Sequence, residues 1–190
     1  MDLNRKIVIS LERISQAFRV LLWNESKQYG LSPIQIQILN FLQTHSKEKR
    51  KISYLAKEFD MTKATISDSV KVLFQKSFVE KEFETNDSRS FILHLTPEGE
   101  EIARNTSLFV TEIENSIDKL GQSEKENLLL NLLGIIDSLN QSGVISIQRM
   151  CFSCSNYLPD YNGNKHFCKL LNKKLNDPEL QVDCPEFEAK

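Results

Sequence analysis

All four cysteines of this sequence, Cys151, Cys154, Cys168 and Cys184, fall within residues 151–190, and the 150 residues before them contain none. Their spacing is C-x2-C-x13-C-x15-C. The two-residue gap of the first pair lets both sulfurs face one ion, and four such ligands complete the closed shell of a structural zinc. His166 is an alternative ligand to Cys168. Two other chemistries use the same side chains. Four thiolates also hold an iron–sulfur cluster, and the Cys184–Pro185 pair resembles the end of a cluster-binding run. Activated thiols can instead act as a redox switch. Structural zinc is the expectation, with a cluster or redox thiols as the alternatives. A forty-residue segment buries too little apolar surface to fold unaided, so a metal would serve as its staple. Phe152, Tyr157, Phe167, Leu170 and Leu171 are the apolar residues available to pack round it.

No other group of residues suggests catalysis. There is no G-x-S-x-G, no phosphate-binding loop and no Ser/His/Asp grouping, so the chain is not expected to be an enzyme. His45 and His94 are isolated and receive no role. With 40% hydrophobic and 26% charged residues in 190, the composition is that of an ordinary globular protein. No apolar run approaches the ~18 residues of a membrane span. The N-terminal stretch carries acids and a helical period in place of a secretory signal. A cytoplasmic location is expected, where thiols stay reduced and metal binding is favoured over disulfides. The formal charge of −2 does not itself suggest a nucleic-acid partner. Between Lys47 and Arg89, however, ten Lys/Arg face eight Asp/Glu, leaving that segment at +2 and the remainder at −4. The bias is mild.

The elements that must position these groups follow from periodicity. Residues 5–28 read as a long helix with Ile7, Leu11, Ile14, Phe18, Leu21 and Leu22 on one side, stopped by Gly30. Ser32, Pro33 and Gln35 open a second helix that buries Ile36, Leu39 and Phe41 or Leu42. After a polar loop, two short helices follow, capped by Ser53 and Thr62. In the second of them Ile66, Val70, Leu73 and Phe74 form the expected buried stripe, and Lys63, Thr65, Ser67, Asp68, Lys71 and Gln75 lie off it. "SFVEKEF" and "RSFILHL" are strand-like runs joined by turn chemistry, a β-hairpin. Thr96 and Pro97 start a helix expected to reach about Leu120. Ser123 and Glu126 read as a capping box for a last helix, whose leucines and isoleucines over 128–139 are apolar nearly all round.

Helix, short turn, amphipathic helix and β-hairpin, in this order, make a winged helix-turn-helix. Within it, Val79–Glu80, the tip "NDSR" with Asp87 and Arg89, and "LTPEG" at Leu95–Gly99 resemble the recognition helix and wing of the MarR (multiple antibiotic resistance regulator) family. "YGLSPIQIQILNFL" resembles that family's second helix, and the resemblance spans roughly residues 5–141. It implies a homodimer held by the first helix and the last two. It implies regulation of transcription, usually repression relieved by a small-molecule effector or by oxidation. In this pattern Arg89 enters the minor groove and Asp87 orients it. Three positions depart from the pattern: Asp68 where the family often has arginine, Ser77 for a common turn glycine, and Val72 for a common arginine.

The expected organisation is a mainly α winged-helix domain with long dimerisation helices over residues 1–141, a linker at 142–150 and a cysteine-rich, metal-binding tail at 151–190. The expected function is dimeric, sequence-specific binding of double-stranded DNA. Lys63, Thr65, Ser67, Asp68 and Lys71 are the candidate major-groove residues, and Asp87 and Arg89 form the wing. The alternatives are an iron–sulfur or thiol redox-sensing regulator, and a degenerate winged helix, with Asp68 spoiling DNA contact, that binds a protein partner.

Overall fold

The computed structural model describes residues 1–84 and 87–190, with the side chains of residues 84 and 87–89 left aside. Its elements, in order, are helices α1 (Leu3–Tyr29), α2 (Pro33–Thr44), α3 (Ile52–Glu58) and α4 (Lys63–Gln75), and strands β1 (Val79–Glu84) and β2 (Asp87–Leu95). Helices α5 (Pro97–Thr106), α6 (Thr111–Ile117) and α7 (Gln122–Gln141) follow, then strands β3 (Tyr157–Tyr161), β4 (Asn164–Cys168) and β5 (Lys173–Leu175). Among the described residues no helix is long and apolar enough to cross a membrane. Two compact units divide the chain, one of residues 1–56 with 61–115 and the other of residues 57–60 with 116–190.

In the first unit, Gly30 ends α1 in the left-handed conformation at φ 59°. The Gln35 carboxamide oxygen accepts from the Ser32 N–H at 2.8 Å, so α2 begins where the sequence places it. Helix α2 is the centre of this unit. Ile36, Ile38, Leu39 and Leu42 have no exposure, and Phe41 is buried as well. Full burial of each such side chain contributes about 2 kcal/mol. Ile66, Val70 and Leu73 of α4 are buried too. Strands β1 and β2 pair antiparallel from Val79 opposite Leu95 to Phe83 opposite Phe91.

Several local expectations are corrected. Phe74 is 48% exposed and leaves the buried stripe, and Ser69 takes the fourth inward place. The hydroxyl of Ser69 donates to the Thr65 carbonyl at 2.9 Å, which satisfies a buried polar group locally. Ser53 lies inside α3, because Lys51 supplies the carbonyl that accepts from Tyr54 and Leu55. His45 ends α2 with its ring stacked on Phe41, centroids 3.7 Å apart. The helix expected to reach Leu120 is interrupted by a 3-10 turn at Ser107–Val110. There the Ser107 hydroxyl donates to the Arg104 carbonyl and the Thr111 hydroxyl to the Leu108 carbonyl, at 2.8 and 2.7 Å. Such bonds compete with the regular backbone ladder. The cap of α7 sits two residues earlier than expected, with the Glu124 carboxylate accepting from the Gly121 N–H at 2.8 Å.

The second unit contains α7 and a three-stranded antiparallel sheet in the order β3-β4-β5. Leu133 of α7 shares a core with Met150, Cys151, Cys154, Tyr157, Leu175 and Leu180. The last helix therefore belongs to the same compact unit as the cysteines, and the unit boundary falls at residues 115 and 116. Residues 142–150 hold the positive-φ Gly143, and they end in the fully buried Met150.

Two substitutions test this packing. A Cβ at Gly99 would stand 1.9 Å from the Phe78 carbonyl oxygen, a backbone atom that cannot turn aside. Gly99→Ala is expected to cost more than about 2 kcal/mol in chemical denaturation, as overpacking against a fixed backbone does. Ser77 occupies the left-handed region at φ 61°, where the resemblance leads one to expect glycine. Ser77→Gly should relieve the Cβ strain and raise stability by about 1 kcal/mol, measured the same way.

Candidate nucleic-acid interface

Helix α4 has two faces of opposite character. Ile66, Ser69, Val70 and Leu73 face the core, and Lys63, Thr65, Ser67, Asp68 and Lys71 are exposed. Lys63, Ser67 and Lys71 follow one another at intervals of four and make one row along the helix. At 1.5 Å per residue that row is about 12 Å long. The start of the helix is fixed by Thr62, whose hydroxyl accepts from the Thr65 N–H at 3.1 Å and lies 2.9 Å from the Thr65 hydroxyl. Thr65 is thus partly committed to the cap, whereas the Lys63 and Lys71 ammonium groups carry the positive charge of the face. Asp68 sits on the same exposed surface and subtracts from it.

The hairpin supplies a second surface. Asp87 and Arg89 lie in β2 by backbone, and their side chains fall outside the described residues. The Lys81 ammonium stands 4.8 Å from the ring centroids of both Phe74 and Phe91. Phe74 stands at the edge of the stripe that Ile66, Ser69, Val70 and Leu73 define, and the contact covers part of its exposed ring. At the other end of the hairpin the Thr96 hydroxyl donates to the Ser77 carbonyl at 2.7 Å and caps α5 by accepting from the Gly99 N–H at 3.1 Å.

A separate cleft of about 480 Å³ is lined by Leu11, Ile14, Phe18, Leu22 and Phe109, with Arg19, Ser15 and Gln37 as its polar residues.

The cysteines form a different site in the second unit. All four are free thiols. Cys151 and Cys154 flank a 3-10 turn and are buried, while Cys168 and Cys184 are half-buried. The Gln181 N–H donates to the Cys151 sulfur at 3.2 Å. Burial pushes the Cys151 thiol above its ordinary pKa, and nearby Cys184, Cys154 and Cys168 push it further, against the Gln181 hydrogen bond. The Cys184 thiol is raised for the same first reason, with a backbone hydrogen bond from Glu186 opposing. Among the described residues no three His, Cys, Asp or Glu side chains stand close enough together to hold an ion. His166 is committed elsewhere. Its ring bonds the Tyr157 hydroxyl on one side and lies 2.9 Å from the Asp177 carboxylate on the other.

Sequence reasoning missed the buried Arg149. Its guanidinium forks onto the Glu58 carboxylate at 2.7 and 3.1 Å and also bonds Asp183. Burial works against this charge, but the two carboxylates outweigh it and hold the pKa above the ordinary arginine value. Nothing local marks the group, because Glu58 lies 91 residues away in sequence.

A paired-helix core, an exposed polar helix and a two-stranded wing define a winged helix-turn-helix protein. The profile of the MarR family matches residues 29–90. The fold is similar to that of the S. aureus MepR–DNA complex, with a TM-score of 0.61 and 22% identity over 70% of this chain and 97% of that one. It is also similar to MepR described as a transcription regulator of the Staphylococcus aureus multidrug efflux pump MepA (TM-score 0.54, 21% identity, 68% of this chain and 95% of that one). A transcriptional regulator of Thermotoga maritima matches at a TM-score of 0.51 and 19% identity, over 74% of this chain and 98% of that one. No curated protein matches the chain. The relatives are covered nearly end to end, so part of this chain has no counterpart in them.

Proposed function

We propose that this protein is a MarR-type transcriptional regulator that binds double-stranded DNA as a homodimer. The observation that carries this reading is the outward face of α4, where Lys63, Ser67 and Lys71 line up opposite a fully buried stripe. Their row is about as long as the major groove is wide, roughly 12 Å, so lysines at its two ends suit phosphates on the two sides of the groove. The match of the MarR profile to residues 29–90 and the likeness to a MepR–DNA complex support it. In this reading Arg89 enters the minor groove and Asp87 orients it. Asp68 cannot pair with phosphate or guanine, but it can accept from a cytosine amine. Thr65 and Ser67 supply neutral hydrogen-bonding groups beside it.

The dimer reading rests on apolar residues left uncovered in each unit. Helix α1 exposes Ile7, Val8, Ile14 and Trp23, and α7 exposes Leu128, Ile135 and Leu139. Isolated exposed leucines are ordinary, but rows of them along helices are the mark of an interface. The cleft beside Arg19 suits an apolar or aromatic anion as effector.

Two measurements test the reading. Fluorescence-anisotropy titration with operator fragments selected from a random pool should give salt-dependent, sequence-selective binding. Lys63→Ala and Lys71→Ala should each weaken binding across all sequences and lower the salt slope by about one. Arg89→Ala should cost on the order of 1–3 kcal/mol of affinity without loss of stability. Equal affinity in all three variants would overturn the assignment of this face, and absence of salt-dependent DNA binding in the wild type would leave the degenerate winged helix as the better account. In analytical ultracentrifugation the chain should sediment as a dimer at micromolar concentration, and a stable monomer there would overturn the dimer.

A further inference from the structure

We infer that Cys151, Cys154, Cys168 and Cys184 are the ligands of a single tetrahedral zinc ion, and that this ion staples the C-terminal core.

The backbone brings the four together although sequence separates them. Residues 181–190 run beside residues 149–155. The Cys151 N–H donates to the Gln181 carbonyl at 3.1 Å, and the Cys184 N–H donates to the Arg149 carbonyl at 2.8 Å. Cys168 pairs with Tyr157 across the sheet, and the Tyr157 N–H donates to the Cys154 carbonyl at 3.2 Å. A parallel bridge at Arg149 and Asp183 and an antiparallel strand pair therefore converge on one C-x2-C turn.

Three further observations point to an ion. The Cys151 sulfur already accepts a backbone N–H from Gln181, and the Cys184 sulfur accepts one from Glu186. A neutral thiol gains little from such donors, whereas a thiolate gains much. These backbone N–H groups stand where donors to metal-bound sulfur are needed. Next, the core here is small. Its buried members are Leu133, Met150, Cys151, Cys154, Tyr157, Leu175 and Leu180, so two of them are the thiols themselves. Leu170, Leu171 and Val182 remain 45–62% exposed and add nothing to it. A module of this size gains its missing stability from a staple. Finally, both ring nitrogens of His166 have partners, which leaves the four sulfurs as the complete ligand set.

Zinc fits better than a cluster. One ion requires the four sulfurs to draw closer than they stand, because no three of them are at ion-holding distance. A cluster of several irons and bridging sulfides takes more room than one ion, and the core that holds Cys151 and Cys154 also holds the buried Met150 and Leu180, 0% and 4% exposed. On binding, four S–H bonds break, four Zn–S bonds form and four protons pass to solvent. No electron is transferred.

The test uses the full chain, purified anaerobically without chelator or added metal. Elemental analysis should give about one zinc per chain, and X-ray absorption at the zinc edge should show four sulfur neighbours at about 2.3 Å. Chelation should raise amide hydrogen exchange across residues 149–190, and added Zn²⁺ should restore protection. Helix α4 and the paired residues 79–83 and 91–95 should stay protected throughout. Cys168→Ser and Cys184→Ser should each lose most of the zinc. A brown protein with iron and labile sulfide would overturn the inference. So would a metal-free chain with four freely reactive thiols, or nitrogen in the coordination shell of the wild type. None of these outcomes depends on whether the chain binds DNA.

Discussion

Helix α2 is the constraint on which the first unit depends. It has twelve residues, and four of them have no exposure at all. A helix apolar on several sides cannot lie at a surface, so its neighbours must enclose it. Helices α1, α4 and α5 and strand β2 all contact it. The orientation of α4 is a consequence. Burying Ile66, Val70 and Leu73 against this centre turns Lys63, Ser67 and Lys71 outward, as 3.6 residues per turn requires. The proposed DNA-reading face is thus fixed by packing on its far side.

The second unit is organised by polar groups. The Arg149 fork onto Glu58 withdraws a full charge from water and is tolerable only because two carboxylates meet it. Tyr157 is similar in kind. Burial pushes its phenol up to about 12, and it remains a neutral hydroxyl bonded to His166, which in turn contacts Asp177. Asp177 has its pKa lowered chiefly by the hydrogen bond from Lys165, with His166 adding to it. Groups of this kind define one geometry and contribute less to net stability than apolar packing would. In such a setting the proposed thiolate-bound zinc would supply both geometry and energy.

The two units also differ in how charge relates to function. The chain as a whole carries a formal −2, which gives no general attraction for nucleic acid. Affinity must then come from where the cations stand. On α4 two lysines face solvent in one row and a single acid interrupts them. Lys81 is spent on the rings of Phe74 and Phe91, which holds the base of the wing against α4. An operator for such a face would be chosen by local fit and would be sensitive to salt.

The sequence by itself determined the order of the main helices and the first hairpin and most of the two faces of α4, but not the caps at Ser53 and Ser123 or the three strands of the tail. Helix period, Gly30, Pro33, Thr62 and Thr96 are local signals, and the backbone answers them within a turn. Local reasoning failed where distant partners decide. Phe74 reads as core by spacing, and it lies half exposed beside Lys81. The break after Thr106 is a local exception, where hydroxyls bond carbonyls three and four residues back and the helical period does not register it. The four cysteines were visible as a set, but their common neighbourhood rests on hydrogen bonds between segments about thirty residues apart. The same holds for Arg149, whose partners lie 34 and 91 residues away. Periodicity records what a residue needs from its own helix or strand. Only the closed fold brings together charges and sulfurs that the chain keeps apart.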